Sequence, residues 1–150
     1  MMKKILFALV ITMSALTVFA QTEDPVSWKF ESRKKAEGVY ELVMTATVEK
    51  PWHIYSQYTG KGPIPTKFTF KANPLVALDG KTKEVGKMEK VNDPNFKSEV
   101  LYFSNGVQFI QTVKLKAKVK TNVAGNVEFM VCNDEQCLPP VKKSFDIKLQ

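Results

Sequence analysis

The segment Tyr40–Val48, with the sequence YELVMTATV, decides the fold class. Apolar side chains occupy every second position, and mostly polar side chains stand between them. Successive side chains of a β-strand point to opposite faces of the sheet, so this alternation predicts a half-buried strand. The segment Val26–Phe30 shows the same period of two. The chain is therefore expected to form sheets in which one face packs on a hydrophobic core and the other face meets solvent.

Six further segments are rich in β-branched and aromatic residues and predict additional strands. They are Thr66–Phe70, Glu84–Val91, Val100–Phe103, Val107–Val119, Val127–Val131 and Ser144–Leu149. Turn-forming residues separate them, among them Asp79-Gly80 and the run from Asn122 to Asn126. Asn105-Gly106 lies between two apolar runs, which is the strongest local signal for a β-hairpin.

The spacing of these strands predicts an all-β fold. No segment after residue 20 shows a sustained helical repeat, and no internal repeat or linker divides the chain. Short strands that follow one another every 8–12 residues or so are typical of a sandwich or barrel. We expect a single antiparallel β-sandwich domain over residues 21–150.

The first twenty residues predict a cleaved secretory signal peptide. Lys3 and Lys4 precede an uncharged run from Ile5 to Ala20. A basic start, an apolar centre and a small residue at the end are the signature of such a leader. The apolar run is shorter than the roughly 20 residues that a membrane-spanning helix needs. We expect cleavage after Ala20, export of the domain, and no stable membrane insertion afterwards.

The positive charge of the chain does not indicate a nucleic-acid partner. The formal charge is +7, and it falls to +5 once the two lysines of the leader are removed. Lysines at positions 114, 116, 118 and 120 alternate with apolar residues. A stripe of this kind could contact phosphates, but it is more typical of the solvent face of a strand that resists edge-to-edge pairing.

The chain contains two cysteines, Cys132 and Cys137, in the segment VCNDEQCLPP that starts at Val131. Two cysteines are too few for a disulfide scaffold or for a zinc site of four thiolates. They are also too close in sequence to form the inter-sheet bridge of immunoglobulin domains. Outside the cytoplasm such a pair is expected to form a disulfide that persists.

Three interpretations of the pair remain open. As a structural staple, the bridge would close a ring of six residues and contribute only about 2 kcal/mol, against about 4.7 kcal/mol for a loop of 100 residues. As a soft-metal site, two thiolates would need further ligands. The candidates are His53, Met44, Met88 and Met130. Isolated methionines in strands are usually core residues, so no metal is expected.

The third interpretation is a redox pair. Thiol–disulfide exchange requires one thiolate that attacks a partner and a second thiol that resolves the mixed disulfide. A short loop supplies both thiols in one place. Asp134 and Glu135 lie between the cysteines and disfavour a low thiolate pKa. The residues alone leave the staple and the redox pair as alternatives.

The segment Val127–Pro140 resembles the active-site strand and loop of the N-terminal periplasmic domain of the DsbD family of bacterial thiol:disulfide interchange proteins. Lys50–Tyr55 resembles the aromatic strand entry of that family, and Asp93–Tyr102 resembles its cap loop, an acidic and aromatic stretch before a strand. The resemblance extends from about Trp28 to Leu149, and its most specific part is the double-cysteine loop closed by two prolines.

The resemblance implies an immunoglobulin-like β-sandwich in the periplasm that relays electrons without a cofactor. The expected donors are thioredoxin-fold or DsbD-like membrane redox proteins, and the expected acceptors are oxidised periplasmic client proteins. Because the sequence ends at Gln150 without a membrane domain or a thioredoxin domain, we expect the electron source to be another protein. The alternative function is a secreted binding or assembly module whose short disulfide only shapes a loop.

The resemblance also assigns roles to individual residues. Cys132 and Cys137 match the redox pair, although four residues separate them, one fewer than in the enterobacterial domain. Phe96 is the candidate for the cap-loop aromatic that shields the bridge, and Asp93 begins that loop. Tyr55 matches an active-site tyrosine. His53 stands where the family can have another tyrosine, and a lone histidine beside a tryptophan is typical of a structural side chain.

Overall fold

The computed structural model describes residues 24–150, so the predicted leader over residues 1–20 lies outside the described residues. The described part of the chain is all-β. Its strands are β1 (Val26–Ala36), β2 (Val39–Val48), β3 (His53–Tyr55), β4 (Lys67–Phe70), β5 (Val76–Val85), β6 (Glu89–Asp93), β7 (Ser98–Phe103), β8 (Gly106–Leu115), β9 (Thr121–Phe129), β10 (Val131–Cys132) and β11 (Val141–Leu149). Over residues 24–150 no helix is long and apolar enough to cross a membrane.

The strands pair antiparallel in three sheets. Sheet I has the order β1-β2-β8-β5, sheet II has the order β11-β9-β4, and sheet III has the order β10-β3-β7-β6. Strand β2, which contains the alternating segment of the sequence, lies in the middle of sheet I between β1 and β8. Its residues Leu42, Met44 and Ala46 are fully buried, as the alternation predicts.

Sheets I and II face each other across an aromatic core. Trp28 of β1 packs against Phe129 of β9 with ring centroids 5.3 Å apart, and Phe68 of β4 lies 5.0 Å from Phe109 of β8. Offset and edge-on contacts at these distances are favourable beyond the burial of apolar area. The contacts establish an antiparallel β-sandwich, which confirms the fold class expected from the sequence.

Sheet III is built from strands that leave the two main sheets. After Met130, the chain of β9 continues as β10, and it thereby passes from sheet II to sheet III. Strand β7 passes in the same way into β8 of sheet I. The hairpin predicted at Asn105-Gly106 is therefore wrong, because the flanking strands pair with other partners. A Cβ at Gly106 would lie 2.8 Å from the carbonyl oxygen of Ala46, so the glycine serves the close approach of β8 to β2.

Two predicted breaks fall inside strands. The run Asn122–Asn126 belongs to β9, which is paired along both edges, with β11 and β4. Asp79-Gly80 belongs to β5 at a register shift. The buried side chain of Gln111 donates hydrogen bonds to the carbonyl oxygens of Asp79 and Gly80, at 3.2 and 3.3 Å, and so satisfies backbone groups that the irregular ladder leaves unpaired. Tertiary hydrogen bonds override the local turn signal in both places.

Two predicted strands have different bounds. The segment Glu84–Val91 is divided at Gly86 between β5 of sheet I and β6 of sheet III. Strand β8 ends at Leu115, so the lysines at positions 116, 118 and 120 lie beyond it, and they are exposed.

Candidate functional site

Cys132 and Cys137 form a disulfide at the free edge of sheet III, with their Cα atoms 4.0 Å apart. The two residues stand directly opposite each other across a tight hairpin. Leu138 N donates to the carbonyl oxygen of Val131 at 2.9 Å on one side of the pair, and a second backbone bond closes the other side. These hydrogen bonds join backbone groups and do not involve the sulfur atoms.

Asn133 shapes the turn that connects the cysteines. Its side-chain oxygen accepts hydrogen bonds from the backbone N–H of Glu135 at 2.9 Å and of Gln136 at 2.8 Å. Its own N–H donates to the carbonyl oxygen of Gln136 at 2.9 Å. An asparagine in this position stabilises a turn through its own side chain. The four residues between the cysteines are therefore an ordered turn.

The two cysteines differ in their exposure to solvent. Cys132 is 2% exposed and packs in a small cluster with Tyr55 and Val100, whereas Cys137 is exposed. A thiolate from another molecule can approach only a sulfur on the surface. Cys137 thus lies at the surface end of the bridge, and Cys132 lies at its buried end.

The pairing of sheet III places the other predicted residues beside Cys132. Ile54 and Phe103 belong to the main core, so the alternate residues of their strands face the opposite side of the sheet. His53 pairs with Cys132 across β3 and β10, and Tyr55 pairs with Tyr102 across β3 and β7. Residues directly opposite on antiparallel strands are close neighbours on one face. The structure therefore brings His53, Tyr55 and the buried cysteine together on one face of sheet III.

His53 has a defined orientation between two tyrosines. Its ring stacks on Tyr102 with centroids 4.1 Å apart and meets Tyr55 edge-on at 5.2 Å. Its Nε2 atom lies 3.2 Å from the hydroxyl oxygen of Tyr55. Burial lowers the pKa of His53 from its ordinary value of 6.5, although the carboxylates of Asp134, Asp93 and Glu89 oppose this effect. The imidazole is therefore neutral at neutral pH.

The two tyrosines keep their protons. Burial, reinforced by nearby carboxylates, raises the pKa of both the Tyr55 and the Tyr102 hydroxyl above its ordinary value of 10.0. Each hydroxyl is therefore a neutral hydrogen-bonding group over the physiological pH range.

The predicted cap loop is the hairpin that joins β6 to β7. The Oδ1 atom of Asp93 accepts hydrogen bonds from the backbone N–H of Asn95 at 2.8 Å and of Phe96 at 3.2 Å. Asp93 thus shapes the loop, and Lys97 completes it with a positive φ of 52°. Phe96 is half-buried, packs against the cluster that contains Cys132, and meets Tyr55 edge-on at 6.4 Å.

The sequence analysis identified the loop between β3 and β4 only as a break, yet this loop lies against the cap. The hydroxyl of Ser98 donates to the carbonyl oxygen of Lys61. A Cβ at Gly62 would lie 2.7 Å from three side-chain carbons of Phe96. The signal available in the sequence was the Gly-Lys-Gly-Pro run, in which small residues permit close packing.

The methionines considered as metal ligands are distributed over the molecule. Met44 is fully buried in the main core, and Met88 is exposed at 42%. Met130 lies beside the cluster of Cys132, where its Sδ atom is 3.5 Å from the backbone nitrogen of Ile64. Over residues 24–150 no three His, Cys, Asp or Glu side chains form a group with the spacing of a metal site.

Residues 20–149 match the family described as Thiol:disulfide interchange protein DsbD, N-terminal. The chain belongs to this family. Among solved structures it is similar to the N-terminal domain of DsbD from Neisseria meningitidis in the reduced form, with a TM-score of 0.55 and 14% identity over 82% of this chain and 84% of that one. No curated protein sequence matches it.

The N-terminal periplasmic domain of ScsB from Proteus mirabilis is also similar, with a TM-score of 0.51 and 11% identity over 83% of this chain and 44% of that one. At these identities the likeness concerns the fold. The fold is the immunoglobulin-like β-sandwich that the family resemblance implied. Membership of the DsbD N-terminal family, together with the bonded cysteine pair, supports a thiol–disulfide exchange module.

Proposed function

We propose that the domain relays electrons in the periplasm, from a thioredoxin-like donor to oxidised envelope proteins, through Cys132 and Cys137. The observation that carries the proposal is the unequal exposure of the two bonded cysteines. A bridge that only shapes a loop does not need one accessible sulfur and one protected sulfur. An exchange pair does, because the first thiol forms the mixed disulfide and the second must reach it from within the same domain.

Reduction of the domain begins at the exposed sulfur. A thiolate of the donor attacks Sγ of Cys137, the Cys132–Cys137 bond breaks, and Cys132 leaves as a thiolate. The second thiolate of the donor then attacks the donor sulfur of the mixed disulfide and releases Cys137. The donor becomes a disulfide, and the domain takes up the two electrons as a dithiol.

Oxidation of the domain reverses these roles. The thiolate of Cys137 attacks a disulfide of the client, and one client sulfur leaves. The thiolate of Cys132 then attacks Sγ of Cys137, which restores the bridge and releases the second client thiol. The hairpin supports this step, because it holds the two cysteines opposite each other before the bond forms.

Phe96 limits access to the buried Cys132 end of the bridge in this proposal. Its ring packs against the cluster of Cys132, at the tip of a loop that Asp93 holds in shape. An aromatic side chain in this place hinders small thiols and oxidants, and a docking partner displaces it. The reduced pair thereby keeps its electrons for a protein partner.

The experiment compares two single-cysteine variants. Cys132→Ser leaves the exposed Cys137 and is expected to trap thioredoxin-fold proteins and clients from cell-envelope extracts as mixed disulfides. Cys137→Ser leaves only the buried Cys132 and serves as the matched control, with much weaker trapping. The absence of mixed disulfides from both variants would contradict an electron relay.

Equilibration of the wild-type bridge with reduced thioredoxin separates the relay from the binding or assembly module. Reduction of the domain by a stoichiometric amount of the donor is the expected result. A bridge with a reduction potential below about −300 mV would instead be a structural disulfide.

A further inference from the structure

The step that releases the client requires a thiolate at a buried position. Cys132 is 2% exposed and packs against Tyr55 and Val100, and such surroundings disfavour a charged sulfur. Asp134, in the turn next to Cys132, disfavours a negative charge there as well. Attack requires a thiolate, so the proton of the reduced Cys132 must pass to another group as its sulfur attacks.

His53 is the basic side chain placed beside that thiol. It pairs directly with Cys132 across β3 and β10, and the Cβ atoms of such pairs are about 4.5–5.5 Å apart. The stack on Tyr102 and the contact of Nε2 with the Tyr55 hydroxyl fix the plane and the rotation of its ring. When Nε2–H donates to the Tyr55 oxygen, the lone pair of the imidazole is on Nδ1 and can accept a proton.

We propose that His53 accepts the proton of Cys132 when the domain reduces a client and returns it when the domain is reduced. This inference rests on the proposed exchange at the cysteine pair and assigns the base within it. In the forward step the Cys132 S–H proton moves to the imidazole, and Cys132 Sγ bonds to Cys137 Sγ. The bond between Cys137 and the client breaks, and the client sulfur leaves with the electron pair.

The surroundings of His53 suit a base that works near neutral pH. Burial favours the neutral imidazole, which is the accepting form. The carboxylates of Glu89 and Asp93 on β6 and of Asp134 in the cysteine turn then stabilise the imidazolium that forms. The neutral Tyr55 and Tyr102 hydroxyls complete the set of titratable groups that face the ring from its own strand and from β7. A general base in such a position contributes about 10²–10⁴-fold to a rate.

The test uses a small chromophore in place of the client. The mixed disulfide between Cys137 and 5-thio-2-nitrobenzoate is prepared on the reduced domain, and release of the coloured thiolate reports the attack by Cys132. Wild-type release is expected to rise with pH only up to the pKa of His53 and then to stay constant through neutral pH. His53→Tyr keeps an aromatic ring for the stack on Tyr102 and removes the base. This variant should release the chromophore more slowly than the wild type, by about 10²-fold. Its release rate should continue to rise tenfold per pH unit.

Equal rates and equal pH profiles for wild type and His53→Tyr would overturn the inference, and they would leave the exchange function intact. A second variant, His53→Gln, guards against misfolding of the first, and it should show the same continuous rise with pH. If the wild-type domain released no chromophore at any pH, the proposed exchange function itself would fail. The two failures are therefore distinguishable in one assay.

Discussion

Gly62 lies against Phe96 so closely that a Cβ atom added to the glycine would come within 2.7 Å of the Cβ, Cγ and Cδ1 atoms of the phenylalanine. Gly62 also has a positive φ of 126°, which other residues rarely adopt. The loop between β3 and β4 is therefore the surface on which the cap rests, and the position of Phe96 depends on the absence of a side chain at residue 62.

Gly62→Ala should displace Phe96 and expose the Cys132 end of the bridge. We expect dithiothreitol to reduce the disulfide several-fold faster than in the wild type, because the added methyl group pushes the ring away from the cluster of Cys132. The matched control is Gly80→Ala, since Gly80 has a positive φ of 70° but a Cβ there meets nothing within 4 Å. Equal acceleration in both variants would show that backbone strain, and not the cap, controls access.

Phe96→Ala should have the same kinetic effect through loss of the ring itself. The matched control is Phe70→Ala, which removes another half-buried phenylalanine that packs against the main core. Both variants should lose roughly 1–2 kcal/mol of stability, less than the about 3–5 kcal/mol of a fully buried phenylalanine. Only Phe96→Ala should speed the reaction of the bridge with glutathione. If Phe96→Ala reacted with glutathione at the wild-type rate, Phe96 would not be the residue that limits access to the bridge.

Asp93 can be tested with two substitutions that separate its hydrogen bonds from its charge. Asp93→Asn keeps an oxygen that can accept from the N–H groups of Asn95 and Phe96, and Asp93→Ala loses it. We expect faster reduction of the bridge by small thiols in Asp93→Ala, with about 1 kcal/mol less stability, and wild-type kinetics in Asp93→Asn. If both variants accelerated reduction equally, the charge of Asp93, and not its hydrogen bonds within the turn, would control access to the bridge.

Reduction of the disulfide should leave the domain folded. The bridge closes a ring of only six residues, so chain entropy predicts a loss of about 2 kcal/mol, and the hairpin keeps its backbone hydrogen bonds without the bond between the sulfurs. Urea unfolding with and without dithiothreitol measures the difference. A reduced protein that lacks cooperative unfolding would identify the bridge as a structural requirement and would count against exchange.

The stability of the domain should fall as the pH drops below about 6.5, the value for an unfolded histidine. Burial lowers the pKa of His53 in the folded state, so the unfolded state binds the proton first. The contribution of His53 is therefore complete above the unfolded pKa and is lost as the pH falls toward the folded pKa.

Urea midpoints measured on both sides of pH 6.5 or so should show this loss in the wild type and a smaller loss in His53→Tyr. Glu41 provides an independent reference, because its hydrogen bond from Arg33 lowers its pKa from 4.5 and its effect begins only in more acidic solution. A decline of equal size in wild type and His53→Tyr would assign the titration to another group.

Short-range patterns determined much of this protein in advance. The alternation of Tyr40–Val48 predicted the all-β class, because a period of two places alternate side chains on opposite faces of a strand. Strand β2 buries the predicted face. The motif from Val131 to Pro140 identified the family, because a short cysteine loop closed by two prolines carries its chemistry in consecutive residues. The sequence analysis placed Asp93 at the start of the cap loop, and its side chain acts on backbone groups only two and three residues away.

Only the tertiary structure decided which residues meet. The Asn105-Gly106 signal describes a local backbone preference, whereas the partners of β7 and β8 depend on long-range pairing, and that pairing sends the two strands to different sheets. The register of β3 with β10 placed His53 opposite Cys132, and the packing of two loops set Gly62 against Phe96. The buried and exposed ends of the bridge have the same origin, because burial is a property of the assembled sheets and two cysteines in one short motif carry no sign of it.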